Sequence, residues 1–179
     1  MQNHGSYSGE HENYTPDITV TGSKNYGLKQ YLSLIKESDN RLQWLIDYFR
    51  QVEEKTIVVF FGDHQPSDYI ANQIFRLSGT NPSNLTEEQA LLRYQVPYVI
   101  WANYDIEEGV DKDMDISFLA ANLMEIADME TTPYQNFLLE YEEVLQENDG
   151  TEAAKERVEE YQELHQKLQY YYMFDYQEE

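Results

Sequence analysis

The sequence predicts an α/β fold, and three observations carry that reading. Thr56-Ile57-Val58-Val59-Phe60-Phe61 and Gln95-Val96-Pro97-Tyr98-Val99-Ile100-Trp101-Ala102 are short apolar runs of strand length. Stretches with helical spacing of apolar residues precede, separate and follow them. The first run ends at Gly62 and presents Asp63 and His64 side by side. That is the end of a sheet strand at which α/β proteins hold ligands.

The elements follow in order. Residues 1–25 are rich in Gly, Ser, Asn and Thr and read as a loop, with a short extended piece at Ile18-Thr19-Val20. Tyr26 to Val52 reads as helix. Leu28, Tyr31, Leu32 and Ile35 make one stripe, and Leu42, Leu45, Ile46, Phe49 and Val52 a second. Ser38-Asp39 between them either caps a new helix or lies on the wet side of a continuous one. The run ending at Phe61 reads as a strand buried on both faces. A short helix from Tyr69 to Leu77 and a loop at Ser78–Asn84 come next. Thr86 and Gln89 have the spacing of a reciprocal helix cap. Pro97 is tolerable at the start of the second strand. Helices are expected over Ile116–Met129 and Thr132–Leu145, with Pro133 at a first helical position. A last helix is expected from Thr151 to Tyr170, with Val158, Tyr161, Leu164 and Leu168 on one face and a solvated, Glu-rich face opposite. Two strands are fewer than the five or six of an ordinary sheet, so the sheet is expected to be incomplete, with bare edges and self-association as the consequence.

Composition narrows the partners. The chain has 179 residues and a formal net charge of -22, with 34 acidic against 12 basic side chains. Phosphate backbones and anionic lipid surfaces select basic patches, so nucleic acid is not an expected partner. There are no cysteines, which excludes disulfides and thiolate metal sites. The apolar runs are too short for a membrane span, and Met1-Gln2-Asn3-His4-Gly5 does not read as a signal peptide.

Asp and neutral His are good ligands for divalent metals, which makes Asp63 and His64 candidate ligands. The plainer reading is a turn in which Asp63 bonds nearby N–H groups, and two ligands do not complete a site. His4 and His11 lie in the opening loop, where exposure to solvent is the default, and His165 reads as a surface residue amid Glu and Gln.

Met1-Gln2-Asn3-His4-Gly5-Ser6-Tyr7, the helix with Tyr31 and Asp39, the strand into Gly62-Asp63-His64, and Val96-Pro97-Tyr98-Val99-Ile100-Trp101 occur in that order. This pattern resembles the C-terminal part of the sulfatase-like phosphoglycerol transferases, the lipoteichoic-acid synthase group of the alkaline phosphatase superfamily. The resemblance spans about Met1 to Tyr134 and continues more weakly to Asp175. It implies the C-terminal part of an α/β sandwich over residues 1–175: an active-site loop at 1–25, a core at 26–134 and C-terminal helices at 135–175. It implies that Asp63 and His64 are ligands of a catalytic divalent metal, manganese in the first place, with zinc, magnesium or calcium as alternatives. His4 would touch the phosphate or glycerol of the substrate.

The reaction so implied moves phosphoglycerol from a lipid headgroup to a hydroxyl of a glycan or polymer through a covalent intermediate. The parent would be a bacterial membrane protein whose catalytic domain faces outward. The family's nucleophile and first carboxylate ligand lie upstream of the Asn-His-Gly motif, so the chain alone is expected to be inactive. A sulfatase or phosphodiesterase of the same superfamily, and a non-catalytic acidic interaction module using the Tyr170–Tyr172 region, are the alternatives. A calcineurin-type phosphoesterase is disfavoured because four histidines cannot supply its ligand motifs.

Overall fold

The structure is a computed structural model that describes Tyr7, residues 14–107, Gly109 and residues 113–175. It falls into two compact units, residues 1–105 and 106–179. In the first unit, helix α1 (Tyr26–Phe49) is followed by strand β1 (Ile57–Phe61), helix α2 (Asp68–Leu77), helix α3 (Glu87–Leu91) and strand β2 (Tyr98–Ala102). In the second, helices α4 (Ile116–Ile126), α5 (Pro133–Gln146) and α6 (Glu152–Tyr170) lead into a π-helical turn, Tyr171–Asp175.

Helix α1 is continuous. Asn25 caps it by accepting from the N–H of Leu28 at 2.8 Å, and the Ser38 hydroxyl back-bonds to the Leu34 carbonyl at 3.1 Å inside the helix. The helix buries Gly27, Leu28, Gln30 and Ser33, and Ile70 and Ala71 of α2 are buried in the same unit. Ile18-Thr19-Val20 forms no regular strand. The main chain there is tied down by a side chain instead: the N–H groups of Asp17 and Ile18 both donate to the Ser33 hydroxyl at 3.1 Å.

Strands β1 and β2 pair antiparallel, with Ile57 opposite Ala102 and Phe61 opposite Tyr98. Both strands lie where the apolar runs predict them. The expected burial on both faces is not found. No residue of either strand is buried, and the facing pair Phe60 and Val99 is 41% and 43% exposed. Residues directly opposite share a face, so this ribbon presents apolar side chains on both sides. Neither face is fully covered, since every strand residue keeps part of its surface accessible.

One amide sets the ribbon against α1. The Asn103 side-chain Oδ1 accepts from the Thr56 N–H at 2.8 Å, and the Asn103 backbone N–H donates to the Thr56 carbonyl at 3.1 Å. The Asn103 NH2 group reaches the carbonyls of Phe49, Val52 and Glu54 at 2.9–3.2 Å. The end of α1, the connection and the residue just before β1 are thus held by a single side chain.

In the second unit Phe118, Ala121, Leu138 and Tyr141 form the buried core, with Tyr134, Phe137 and Tyr161 packed against it. Thr132 and Gln135 complete a reciprocal cap on α5, whose first residue is Pro133. Thr86 and Gln89 do the same on α3. The inward face of α6 is Ala154, Val158, Tyr161, His165 and Leu168. Leu164, expected inward, is 45% exposed, and the imidazole of His165 takes the place assigned to it.

Two outcomes follow. Asn103→Asp would set a carboxylate against three carbonyl oxygens, and should lower unfolding stability by about 2–3 kcal/mol in urea titrations, more than Asn103→Ala. The open ribbon should make the chain self-associate in sedimentation velocity, and Phe60→Lys with Val99→Lys should return it to monomer.

Candidate metal centre

Gly62 ends β1, and its N–H donates to the Pro97 carbonyl at 3.1 Å. A Cβ at this position would stand 3.1 Å from Cβ of Val96, so the smallest residue keeps the two chains together just before the candidate ligands. Asp63 and His64 follow on an exposed turn. Asp63 Oδ1 accepts from the His64 N–H at 2.9 Å, which is the local turn bond its position suggests. His64 Nδ1 lies 2.8 Å from the Gln65 carbonyl. A carbonyl only accepts, so Nδ1 carries a proton, and Nε2 is the ring nitrogen that a metal would take. Nε2 stands 3.5 Å from Asp63 Oδ2.

The turn is braced from the other strand's approach. The Gln65 side-chain amide donates to the Gln95 carbonyl. Arg93 donates to the Pro66 carbonyl at 3.0 Å and to Asp68 Oδ1 at 2.8 Å. Pro66 is buried, so the segment after the pair is anchored while the two side chains stay open to solvent.

The donor pair fits a divalent cation. Two metal–ligand bonds of about 2.1 Å at a tetrahedral angle span about 3.4 Å, close to the 3.5 Å between Oδ2 and Nε2. The Nδ1–H bond to a carbonyl is the usual outer support of a ligating histidine. The pair is not a whole site: among the described residues no group of three or more His, Asp or Glu stands close enough to hold a metal ion.

His4, the expected substrate contact, lies outside the described residues, as does His11. The opening loop is nonetheless located at Tyr7, whose ring meets Tyr31 of α1 edge-on at 5.4 Å. Tyr7 has φ of 45°, a left-handed backbone unusual for a tyrosine. At Gly27 a Cβ would collide with the Tyr7 carbonyl oxygen and come within 2.8 Å of the Tyr69 ring. Tyr7 and the helix that follows Asp63-His64 therefore converge on one glycine of α1.

His165 departs from its expected surface position. Its Nε2 lies 3.2 Å from the Tyr134 hydroxyl, and its ring packs against Phe137 and edge-on against Tyr141, with centroids at 6.1 and 5.6 Å. Burial pushes its pKa below the usual histidine value, while the nearby Asp115 carboxylate pulls it back in part. Burial likewise raises the Tyr134 and Tyr141 phenols. Asp115 is held below the usual carboxylate range by the Ser117 hydroxyl and N–H that it accepts from. The signal that would have shown this is the spacing of Val158, Tyr161, His165 and Leu168, which is as regular with the histidine as with Leu164.

The fold and the paired donors describe an α/β domain with a candidate metal-binding turn at a strand end. The sulfatase family model matches residues 1–129, and the chain belongs to the sulfatase family. It is 28% identical over 151 residues to a protein of Rhizobium meliloti (strain 1021) named for cyclic beta-1,2-glucan modification, a match covering 77% of this chain and 22% of that one. The solved Streptococcus pyogenes phosphoglycerol transferase GacH, in complex with sn-glycerol-1-phosphate, is similar over 95% of this chain and 41% of its own, with a TM-score of 0.60 and 23% identity. The chain thus spans about a fifth of the length of the first relative and two fifths of the second. Among the described residues no helix is long and apolar enough to cross a membrane.

The half-buried imidazole sets a pH dependence. The unfolded chain binds a proton at this residue near pH 6.5, whereas the folded chain resists it to lower pH. Stability should therefore fall as pH drops through 6.5, until the folded-state value is passed. His165→Phe should flatten that part of the profile in thermal melts taken from pH 7.5 to 5. Gly27→Ala should displace Tyr7 and lower its ring contact with Tyr31, read as a change in near-ultraviolet circular dichroism.

Proposed function

We propose that this domain supplies Asp63 and His64 as two ligands of a divalent metal in a sulfatase-type phosphoglycerol transferase. The observation that carries the reading is the carboxylate–imidazole pair, with Oδ2 and Nε2 3.5 Å apart at the end of a strand in a chain of this family. Manganese is the first choice of metal because the family resemblance implies it; the carboxylate–imidazole donor set admits it along with zinc. Residues 1–25 act as the active-site loop, 26–134 as the core and 135–175 as the C-terminal helices.

The residues divide the work as follows. Asp63 gives an anionic oxygen, and His64 gives Nε2 with the ring fixed by its Nδ1–H bond to Gln65. Arg93 holds the backbone of the turn through Pro66 and Asp68, so the ligands need not be ordered at the moment of binding. His4 donates a hydrogen bond to a phosphoryl oxygen of the donor lipid headgroup. When bound, the metal neutralises charge on the phosphoryl oxygens and lowers the pKa of the attacking hydroxyl. In the transfer a hydroxyl oxygen–phosphorus bond forms as the phosphorus–oxygen bond to diacylglycerol breaks. A glycan or polymer hydroxyl then attacks the same phosphorus and gives up its proton, and the first oxygen–phosphorus bond breaks to release the original hydroxyl. The place of action is the outer face of a cell membrane.

Because two protein ligands make a weak site, the chain by itself should bind Mn2+ only in the millimolar range and turn over no phosphatidylglycerol. Isothermal titration of the chain with Mn2+ reads the first point, and Asp63→Ala with His64→Ala should abolish the heat. Submicromolar binding by this chain, or binding unchanged in the double variant, would overturn the assignment.

A further inference from the structure

Gln65 makes two bonds with different consequences. Its main-chain carbonyl accepts from Nδ1 of His64 at 2.8 Å, and its side-chain amide donates to the Gln95 carbonyl on the approach to β2. The side chains of Asp63 and His64 are 82% and 60% exposed, whereas Gln65 is half-buried and Pro66 buried. The residue beside the donor pair is anchored where the pair itself is not.

A neutral imidazole carries one proton, on either nitrogen, and the partner of one nitrogen decides the state of the other. Two partners compete at His64. With the proton on Nε2, the ring would point it at Asp63 Oδ2, 3.5 Å away, and the two candidate donors would close on each other. With the proton on Nδ1, the ring donates to Gln65 at 2.8 Å and leaves Nε2 and Oδ2 open to a cation. The shorter bond is the stronger one while the Gln65 carbonyl stays in place. Three constraints hold that carbonyl. A residue before proline is confined to extended backbone, which limits the rotation of its own carbonyl. Arg93 fixes the far side of Pro66 through the Pro66 carbonyl at 3.0 Å. The Gln65 amide ties the turn to Gln95, 30 residues away.

We propose that Gln65 is a positioning residue for the candidate ligand His64: its side chain, anchored on the Gln95 carbonyl, holds its own main-chain carbonyl against Nδ1–H and so keeps Nε2 open for a divalent cation. The tautomer depends on the turn alone; its use for a cation rests on the metal-binding reading above. The full chain, labelled with 15N-histidine, is kept in EDTA at about pH 8.5, above the ordinary histidine range. Long-range 1H–15N correlation reads the two ring nitrogens of His64, assigned with His64→Ala. The expected result is a ring with mainly Nδ1–H. Gln65→Met, similar in length but without a donor, should shift the ratio about threefold or more toward Nε2–H. Gln65→Lys returns a donor of similar reach and should restore the wild-type ratio. Gln43→Met removes the amide of an exposed glutamine of α1 and should change nothing. With Zn2+ in place of EDTA at about pH 7, binding at the His64 ring should weaken about tenfold in Gln65→Met.

Circular dichroism checks that each variant folds. A wild-type ring with mainly Nε2–H would overturn the proposal. So would a ratio unmoved by Gln65→Met, moved equally by Gln43→Met or not restored by Gln65→Lys, or a Zn2+ affinity that Gln65→Met leaves unchanged. The tautomer is measured without metal, so a failed Mn2+ titration sinks the metal-binding reading and leaves the tautomer result standing.

Discussion

The register of the β1–β2 ribbon is the constraint on which the candidate metal centre depends. A shift of one residue in a strand turns every side chain to the opposite face. Hydrophobic patterning normally forbids such a slip by making one face wet. Here it has no such power, because Val58, Phe60, Val99 and Trp101 on one face and Ile57, Val59, Phe61 and Ile100 on the other are all apolar. Polar clamps at the two ends take over. Asn103 locks Thr56 and three carbonyls around the end of α1 at one end. At the other, Gly62 bonds to Pro97 and Gln65 to Gln95. Between the clamps lie five paired residues, so the position at which Asp63 leaves the sheet is fixed to the residue.

That division explains what could be read from the sequence. Capped helices were legible because the cap is local chemistry: Thr86 with Gln89 and Thr132 with Gln135 carry their partners within one turn. The strands were legible as apolar runs, but their burial was not. A run apolar on both faces describes a strand that needs cover, and says nothing of whether cover is within reach. The antiparallel pairing depends on Asn103 and Thr56, 47 residues apart, and no local pattern encodes it. Hydrophobicity alone favours Leu164 over His165 for the inward position. The actual choice was made by Tyr134, Phe137 and Tyr141, whose rings accept an imidazole as readily as an aliphatic chain.

The candidate ligands were legible as a motif and illegible as a geometry. Adjacent residues on an extended strand point to opposite faces, so Asp63 and His64 could not have met had β1 continued through them. They approach to 3.5 Å because the strand stops at Gly62 and the chain turns, with Asp63 accepting from the next N–H. The turn reading and the ligand reading, which look like rivals in the sequence, describe one structure: the turn bond uses Oδ1 and the donor that faces the imidazole is Oδ2.

Charge gives the proposed chemistry its direction. A chain of net charge -22 attracts divalent cations and repels a phosphodiester, and at physiological salt that field acts over about 8 Å. An exposed carboxylate, without a cation, is a poor place for an anionic headgroup. A dipositive ion there reverses the local sign, and the repulsion becomes attraction over the same short range. Binding of the anionic donor should thus be conditional on the metal.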